Sequence, residues 1–276
     1  MIKQTNKRII KSVQFLLLVF ILTFTTACSR TNIGIIIAGS TSVQPFAEAL
    51  SEAFMKDNPS ILIDVQGGGS SAGIMSAQTN TADIGMSSRN LKDEEKNLWS
   101  VEIAKDGLAV IVNPKNTVNN LSLKQVQDIY SGAITNWKQV GGRDAKIHVI
   151  TREEGSGTRS AFESLVMDKL EIDARSIVQD SNGTVRLLVK DDLNAIGYIS
   201  LGLVDNNVKA LELDGVEASR ENVINGTYNL TRPFLFVSSS EPVGDVKKFI
   251  DFVLSAEGMR ILDAEGLITI ADGATQ

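Results

Sequence analysis

The chain has 276 residues, 43% hydrophobic and 22% charged, and its 27 Lys and Arg against 33 Asp and Glu give a formal net charge of −6. An acidic chain carries no electrostatic footprint for nucleic acid, and a single cysteine excludes an intramolecular disulfide. With one histidine, one cysteine and no calcium-binding loop, neither a metal nor a cofactor is expected.

The first residues carry Lys3, Lys7, Arg8 and Lys11, followed by an apolar run from Phe15 to Leu22 and small residues up to Ala27. This pattern predicts an export signal over residues 1–27, because the apolar run is too short to cross a bilayer as a helix. Cys28 follows Thr25-Thr26-Ala27 in a setting that resembles the lipobox of bacterial lipoproteins, although Thr25 stands where an aliphatic residue is usual. Cys28 is therefore expected to carry lipid, with residues 28–32 as a linker and the protein held on the extracytoplasmic face of the membrane. The four bases leave with the signal, so what remains is more acidic still. Roughly 250 residues then exceed one typical core and suit two medium lobes.

Further along, short apolar runs alternate with helix-period segments, the mark of an α/β fold. Strands are predicted at Ile33–Ala38, Ile61–Gln66, Ala82–Met86, Gly107–Asn113 and Ile147–Thr151. Between the first two, Val43, Phe46, Ala47, Leu50, Ala53 and Phe54 form a helix face, with Ser42 as its cap and Pro45 in its first turn. Further helices are predicted at Leu123–Tyr130, Val246–Leu254, and after Ser160, where Ala161, Phe162, Leu165, Val166 and Leu170 make an apolar stripe. The turn clusters Asn113-Pro114-Lys115-Asn116 and Asn225-Gly226-Thr227 are read as the two crossings between lobes. That division gives residues 33–114 plus 227–276 as lobe I and 115–226 as lobe II.

The chemistry lies just beyond the strand ends. After Ile147–Thr151 comes Arg152-Glu153-Glu154-Gly155-Ser156-Gly157-Thr158-Arg159. Glycines admit a ligand close to backbone, Ser156 and Thr158 offer hydroxyls, and Arg152 can clamp a tetrahedral oxyanion. Taken singly this is a plausible helix cap. The same chemistry recurs, however, at Gly39-Ser40-Thr41-Ser42, at Gly67-Gly68-Gly69-Ser70-Ser71-Ala72-Gly73 and at Ser87-Ser88-Arg89, each beyond a strand end. Ligands of open α/β sheets bind beyond the carboxyl ends of the strands, so four such turns together point to an anion site.

Two competing motifs fall short. Gly69-Ser70-Ser71-Ala72-Gly73 satisfies the Gly-x-Ser-x-Gly pattern of a hydrolase nucleophile, but that chemistry needs a histidine base. The sole histidine, His148, sits in a strand about 13 Å before Arg152 at ~3.3 Å per residue. No Gly-x-x-x-x-Gly-Lys-Ser/Thr string exists, so nucleotide hydrolysis has no support.

Together, Gly39-Ser40-Thr41-x-x-x-Pro45, Gln66-Gly67-Gly68-Gly69-Ser70-Ser71-x-Gly73, Ala82-Asp83-Ile84-Gly85-x-Ser87-Ser88-Arg89 and Arg152-x-x-Gly155-Ser156-Gly157-Thr158-Arg159 resemble the phosphate-binding proteins of bacterial phosphate ABC transporters. The likeness includes Ile129-Tyr130-Ser131-Gly132, Trp137 and Ile196-Gly197-Tyr198-Ile199. The resemblance implies a two-lobe, periplasmic-binding-protein-like (type II) fold with the ligand in the cleft. It also implies a monomer that is no enzyme, binds inorganic phosphate and delivers it to the membrane permease subunits of an ABC importer. By the same resemblance Ser40, Thr41, Ser70, Ser88, Arg152, Ser156, Gly157 and Thr158 are the expected phosphate contacts. Ser88 stands where some members have an aspartate that accepts a hydrogen bond from protonated phosphate. An ionised carboxylate only accepts, whereas a hydroxyl donates as well, so sulfate, molybdate and tungstate stay open as ligands. Asp83, Glu153, Glu154 and Asp180 are the acids near enough in sequence to supply an acceptor, with strand-capping or solvated roles as the plainer reading.

Overall fold

The computed structural model describes residues 33–269. The export signal, Cys28 and the 28–32 linker lie outside the described residues.

The first strand, β1 (Ile33–Gly39), leads into α1 (Gln44–Asp57), β2 (Leu62–Gly67), α2 (Ser70–Gln78) and β3 (Ile84–Ser87). Next come the long β4 (Trp99–Val112), the short β5 (Asn120–Leu121) and α3 (Leu123–Tyr130). The middle of the chain holds β6 (His148–Arg152), α4 (Gly157–Phe162), β7 (Ile177–Gln179), α5 (Asn182–Asp191) and β8 (Ala195–Ser200). Two short strands come after these, β9 (Lys209–Ala210) and β10 (Glu212–Leu213), then α6 (Arg220–Ile224), β11 (Thr231–Ser238), α7 (Gly244–Val253) and α8 (Ala256–Ala264). Strand neighbours run β2-β1-β3-β11-β4-β8-β6-β7, with β9 also paired to β4, while β10 and β5 pair separately. The pairs β1/β3, β6/β8 and β6/β7 are parallel; β11 is antiparallel to both β3 and β4, and β4 to β8.

This one path of strands serves two hydrophobic cores. The first gathers Ile35, Ile37, Phe46, Leu50, Phe54, Ile84, Ile103 and Ala104 with Phe234, Phe236, Phe249 and Leu262. The second gathers Leu108–Val112, Val126, Ile129, Tyr130, Trp137, Phe162, Val185, Ile196, Tyr198 and Leu230. Strand β4 belongs to both: Trp99–Gly107 pairs with β11, and Leu108–Val112 pairs with β8. The change of core therefore falls inside β4 between Ala104 and Leu108, and again between Leu230 and Phe234. The turn at Asn113–Asn116 lies beyond the first change, packed against the second half, where Asn113 Nδ2 donates to Lys190 O (2.6 Å).

The elements form where the side-chain periods allow them. In α1 the buried Phe46, Ala47, Leu50, Ser51 and Phe54 follow the three-and-four spacing, and Pro45 sits in the first turn. In β11, Phe234 and Phe236 enter the first core while Leu235 and Val237 pack with Ile74 and Leu98 on the other face, as a period of two requires. Two expectations need correction. The N-cap of α1 is Val43, with no side-chain cap, because the N–H groups of Val43 and Gln44 both donate to Ser40 O (3.1 and 2.9 Å). The Ser42 hydroxyl is thereby released to the interior. The stripe after Ser160 is not one α-helix either: α4 ends at Phe162 and continues as a π turn over Glu163–Met167, which buries Val166 and Met167 and leaves Leu170 exposed.

Candidate anion-binding site

Four parallel-type strand ends converge with four helix starts. Strand β1 runs through Gly39 towards α1, β2 towards α2, β6 towards α4 and β7 towards α5. Gly39 has φ +138°, and a Cβ there would lie 2.4 Å from Met86 O and 2.9 Å from Gly73 Cα, so only glycine lets these three backbones meet.

Around this junction Ser40, Ser70, Ser88, Arg152, Ser156 and Thr158 are each no more than 2% exposed, and Gly157 is buried. Thr41 is half-buried beside them. From the first core's side, Ser40 Oγ donates to Ser88 Oγ (2.8 Å), Ser88 N donates to Ser70 Oγ (3.0 Å), and the Ser70 and Ser88 hydroxyls lie 3.3 Å apart. From the other side, Gly157 presses on the same pair: an added Cβ would sit 2.1 Å from Ser70 Oγ and 2.5 Å from Ser88 Oγ. Ser71 N donates across to Gly155 O (3.0 Å), and the hydroxyls of Ser42 and Thr158 are 2.8 Å apart. Ser156 is the cap of α4, its Oγ accepting from Arg159 N (3.2 Å). All eight expected contacts thus fall in one neighbourhood.

Arg152 supplies the charge. Its Nε donates to Glu153 Oε2 (2.9 Å) and Gln179 O (3.2 Å), and its Nη2 donates to Glu153 Oε1 (2.9 Å), Asp180 O (3.0 Å) and Thr41 Oγ1 (3.3 Å). Its Nη1, like Nη1 of Arg232, is buried with no acceptor among the described residues. Leaving a charged donor unmet costs ~1–3 kcal/mol or more, which is the free energy an anion oxygen would recover.

Sequence reasoning missed four members of this network. Asn182 Nδ2 donates to Ser42 Oγ (2.8 Å) and Thr41 Oγ1 (3.3 Å), while its Oδ1 accepts from Ser200 N (3.2 Å). Arg232 Nη2 donates to Ser42 Oγ (3.1 Å) and to Asp106 Oδ2 (2.9 Å), and Ser200 Oγ donates to Asp106 Oδ1 (2.8 Å). Burial pushes the Asp106 carboxyl up, against the opposing attraction of Arg232. Nearby, burial also pushes the Tyr198 phenol up to about 12, where it meets Thr151 Oγ1 at 2.7 Å. Asn182 had a visible signal, since Ser181-Asn182-Gly183-Thr184 is a fifth hydroxyl- and glycine-rich turn after a strand. Asp106 and Arg232, 126 residues apart, had none beyond being charges in apolar strands.

Three of the four candidate acids already have partners, Glu153 within the site itself. Asp83 Oδ2 accepts from Ile36 N (2.8 Å), Glu153 is held by Arg152, Asp180 Oδ1 accepts from Thr184 Oγ1 (3.2 Å), and Glu154 is exposed. The hydrolase reading gains nothing: Ser71 Oγ accepts from Arg89 Nη2 (3.3 Å), and His148 pairs with Asp192 (2.6 Å) at the opposite end of β6. Among the described residues no group of His, Cys, Asp and Glu is placed to hold a metal ion.

Two cores joined by shared strands around a buried polar junction define a class of solute-binding protein, and the model of the PBP superfamily domain matches residues 24–257. The phosphate-binding protein PstS of Bacillus subtilis is 35% identical over 242 residues, covering 86% of this chain and 80% of that protein. The counterpart in Borreliella burgdorferi is 31% identical over 248 residues, 85% of this chain and 89% of that protein. This chain belongs to the PstS family of phosphate-binding proteins. A solved chain from Clostridium perfringens, described as a phosphate ABC transporter substrate-binding protein with bound phosphate, superposes with a TM-score of 0.83 at 48% identity, covering 86% of this chain and 99% of that one. An ABC-type phosphate transport receptor from Vibrio cholerae gives 0.72 at 40% identity, with 85% and 99% covered.

Proposed function

We propose that this protein binds inorganic phosphate between its two core-bearing halves and presents it to the membrane subunits of an ABC importer. The observation that carries the reading is the cluster of buried hydroxyls beside Arg152, whose Nη1 is buried without a partner among the described residues. Phosphate shed of its water needs a donor for most of its lone pairs, and hydroxyls, Arg152 and backbone N–H groups supply them without drawing on the acidic surface. Ser40, Thr41, Ser70 and Ser88 come from one half and Arg152, Ser156, Gly157 and Thr158 from the other. The full donor set therefore exists only when the halves meet, and ligand shifts the hinge equilibrium towards closure.

Several finer elements belong to the same proposal. The lobes exchange within β4 and again at the start of β11, a few residues from the boundaries drawn from the turns. Residues 1–27 direct export, lipid on Cys28 tethers the protein outside the membrane, and it works as a monomer without catalysis. Among the described residues no helix is long and apolar enough to cross a membrane.

Calorimetric titration with phosphate, sulfate and molybdate at two pH values around 7 tests the assignment. Phosphate binding that excess sulfate leaves undisturbed is the expected result. Equal competition would transfer the site to tetrahedral oxyanions at large, and turnover of activated esters dependent on Ser71 would replace the binding role.

A further inference from the structure

The hydrogen-bond directions around Ser42 assign a role to residues one step away from the anion. A hydroxyl has one proton to give and two lone pairs to fill. At Ser42 Oγ both lone pairs are taken by groups that can only donate: Arg232 Nη2 at 3.1 Å and Asn182 Nδ2 at 2.8 Å. The Asn182 amide cannot be turned round, because its Oδ1 accepts from Ser200 N (3.2 Å). Arg232 is fixed in turn by Asp106, whose Oδ2 accepts from Nε (3.0 Å) and Nη2 (2.9 Å) of its guanidinium. The Ser42 proton then has one outlet, Thr158 Oγ1 at 2.8 Å.

Thr158, having accepted from Ser42, keeps its own proton for something else. Thr41 is in the same state, since its Oγ1 accepts from Arg152 Nη2 and Asn182 Nδ2, each at 3.3 Å. We infer that Arg232, held by Asp106, is a positioning residue of the anion site that orients the Ser42 proton onto Thr158 and so makes the Thr158 hydroxyl a donor to the bound oxyanion. The inference rests on the phosphate-binding reading above. It also explains why a buried ion pair lies where the strands change cores, for both partners sit there, Asp106 on β4 and Arg232 on β11. A buried pair is weak as a source of stability, and its use here is to fix a direction.

The test is a mutant cycle read by calorimetry with inorganic phosphate on the full chain. Asp106→Leu with Arg232→Met replaces the ion pair by apolar groups of similar bulk, a change that cores often tolerate. Thr158→Val removes the hydroxyl on which the pair is held to act. Each change alone is expected to weaken phosphate binding about tenfold, the scale of one hydrogen bond. In the Thr158→Val background the pair replacement is expected to add nothing. If its loss persists undiminished there, or if it causes none in the wild type, the inference falls: Arg232 would then touch the anion itself or serve the fold alone. Should the pair variant fail to melt cooperatively, Ser42→Ala enters the same cycle with the same expectation, and additive losses overturn the inference equally. A wild-type chain that takes no phosphate overturns it together with the reading beneath it, whereas additivity in a chain that does bind phosphate overturns it alone.

Discussion

Replacing Gly157 by alanine adds one methyl group at a point where the halves press together. Its Cβ would meet Ser70 Oγ at 2.1 Å, Ser88 Oγ at 2.5 Å and Ser70 Cβ at 2.9 Å. Turning the hydroxyls aside relieves the first two contacts but not the third, because Ser70 Cβ is fixed to the start of α2. Gly157 opens α4, a position alanine adopts without backbone strain, so each half should still fold. The strain falls on closure, since ordinary contact begins at 3.4 Å and the remaining Ser70 Cβ contact forces the halves apart by roughly 0.5 Å. A gap of that size stretches the Ser71 N to Gly155 O and Ser42 to Thr158 bonds, now 3.0 and 2.8 Å, to the edge of hydrogen-bond range and draws donors of one half off the ligand. Two hydrogen bonds worth ~1–1.5 kcal/mol each set an upper bound of ~2–3 kcal/mol, and weakening both by about half gives ~1–1.5 kcal/mol, or about 5- to 12-fold in Kd. Calorimetry measures the affinity, small-angle scattering with and without phosphate measures closure, and the ligand-free melting temperature should stay near the wild-type value. A Gly157→Ala protein that binds phosphate as tightly as the wild type would refute the placement of Gly157 at the contact between the halves.

Three further expectations are independent of that one. Arg152→Ala should weaken phosphate binding by at least ~1.5–3 kcal/mol, and an unchanged calorimetric Kd would remove Arg152 from the site. Ser88→Asp places an acceptor-only carboxylate beside Ser40 and Ser70, so competition assays should show sulfate losing more affinity than phosphate; a parallel loss of both would rule Ser88 out of ligand choice. The hydrogen bonds from Arg89 hold the Glu95 carboxyl below its ordinary value of 4.5. With the folded pKa depressed, the pair contributes stability above about 4.5 that is lost as pH falls through the folded value. Glu95→Gln should thus lower the melting temperature at pH 7 and narrow its difference from wild type below about pH 4, and a constant difference would contradict this.

What could be read from the sequence was governed by distance along the chain. Strand–turn–helix units carry their chemistry within about ten residues, so the four turns at Gly39, Gly67, Ser87 and Arg152 were legible, as was α3, bounded by the Ser122 cap at one end and Ser131-Gly132 at the other. The first half of β4 escaped because Glu102, Lys105 and Asp106 interrupt its apolar run, and only pairing with β11 makes it a strand. Ser42 looked like a cap, since nothing local shows that the Ser40 carbonyl already receives the N–H groups of Val43 and Gln44. Asp106 and Arg232 illustrate the limit most clearly. Their charges oppose burial in isolation, and the reason they are tolerated lies on the partner strand.

The first described strand, β1, and the last two helices, α7 and α8, all pack into the same core. A reporter or surface attachment made beyond either end would therefore ride with that half and register nothing of the hinge. A conformational sensor built from this protein needs one of its two dyes on the other half, for example at the exposed Ala133, whose methyl group has no hydrogen bond to lose.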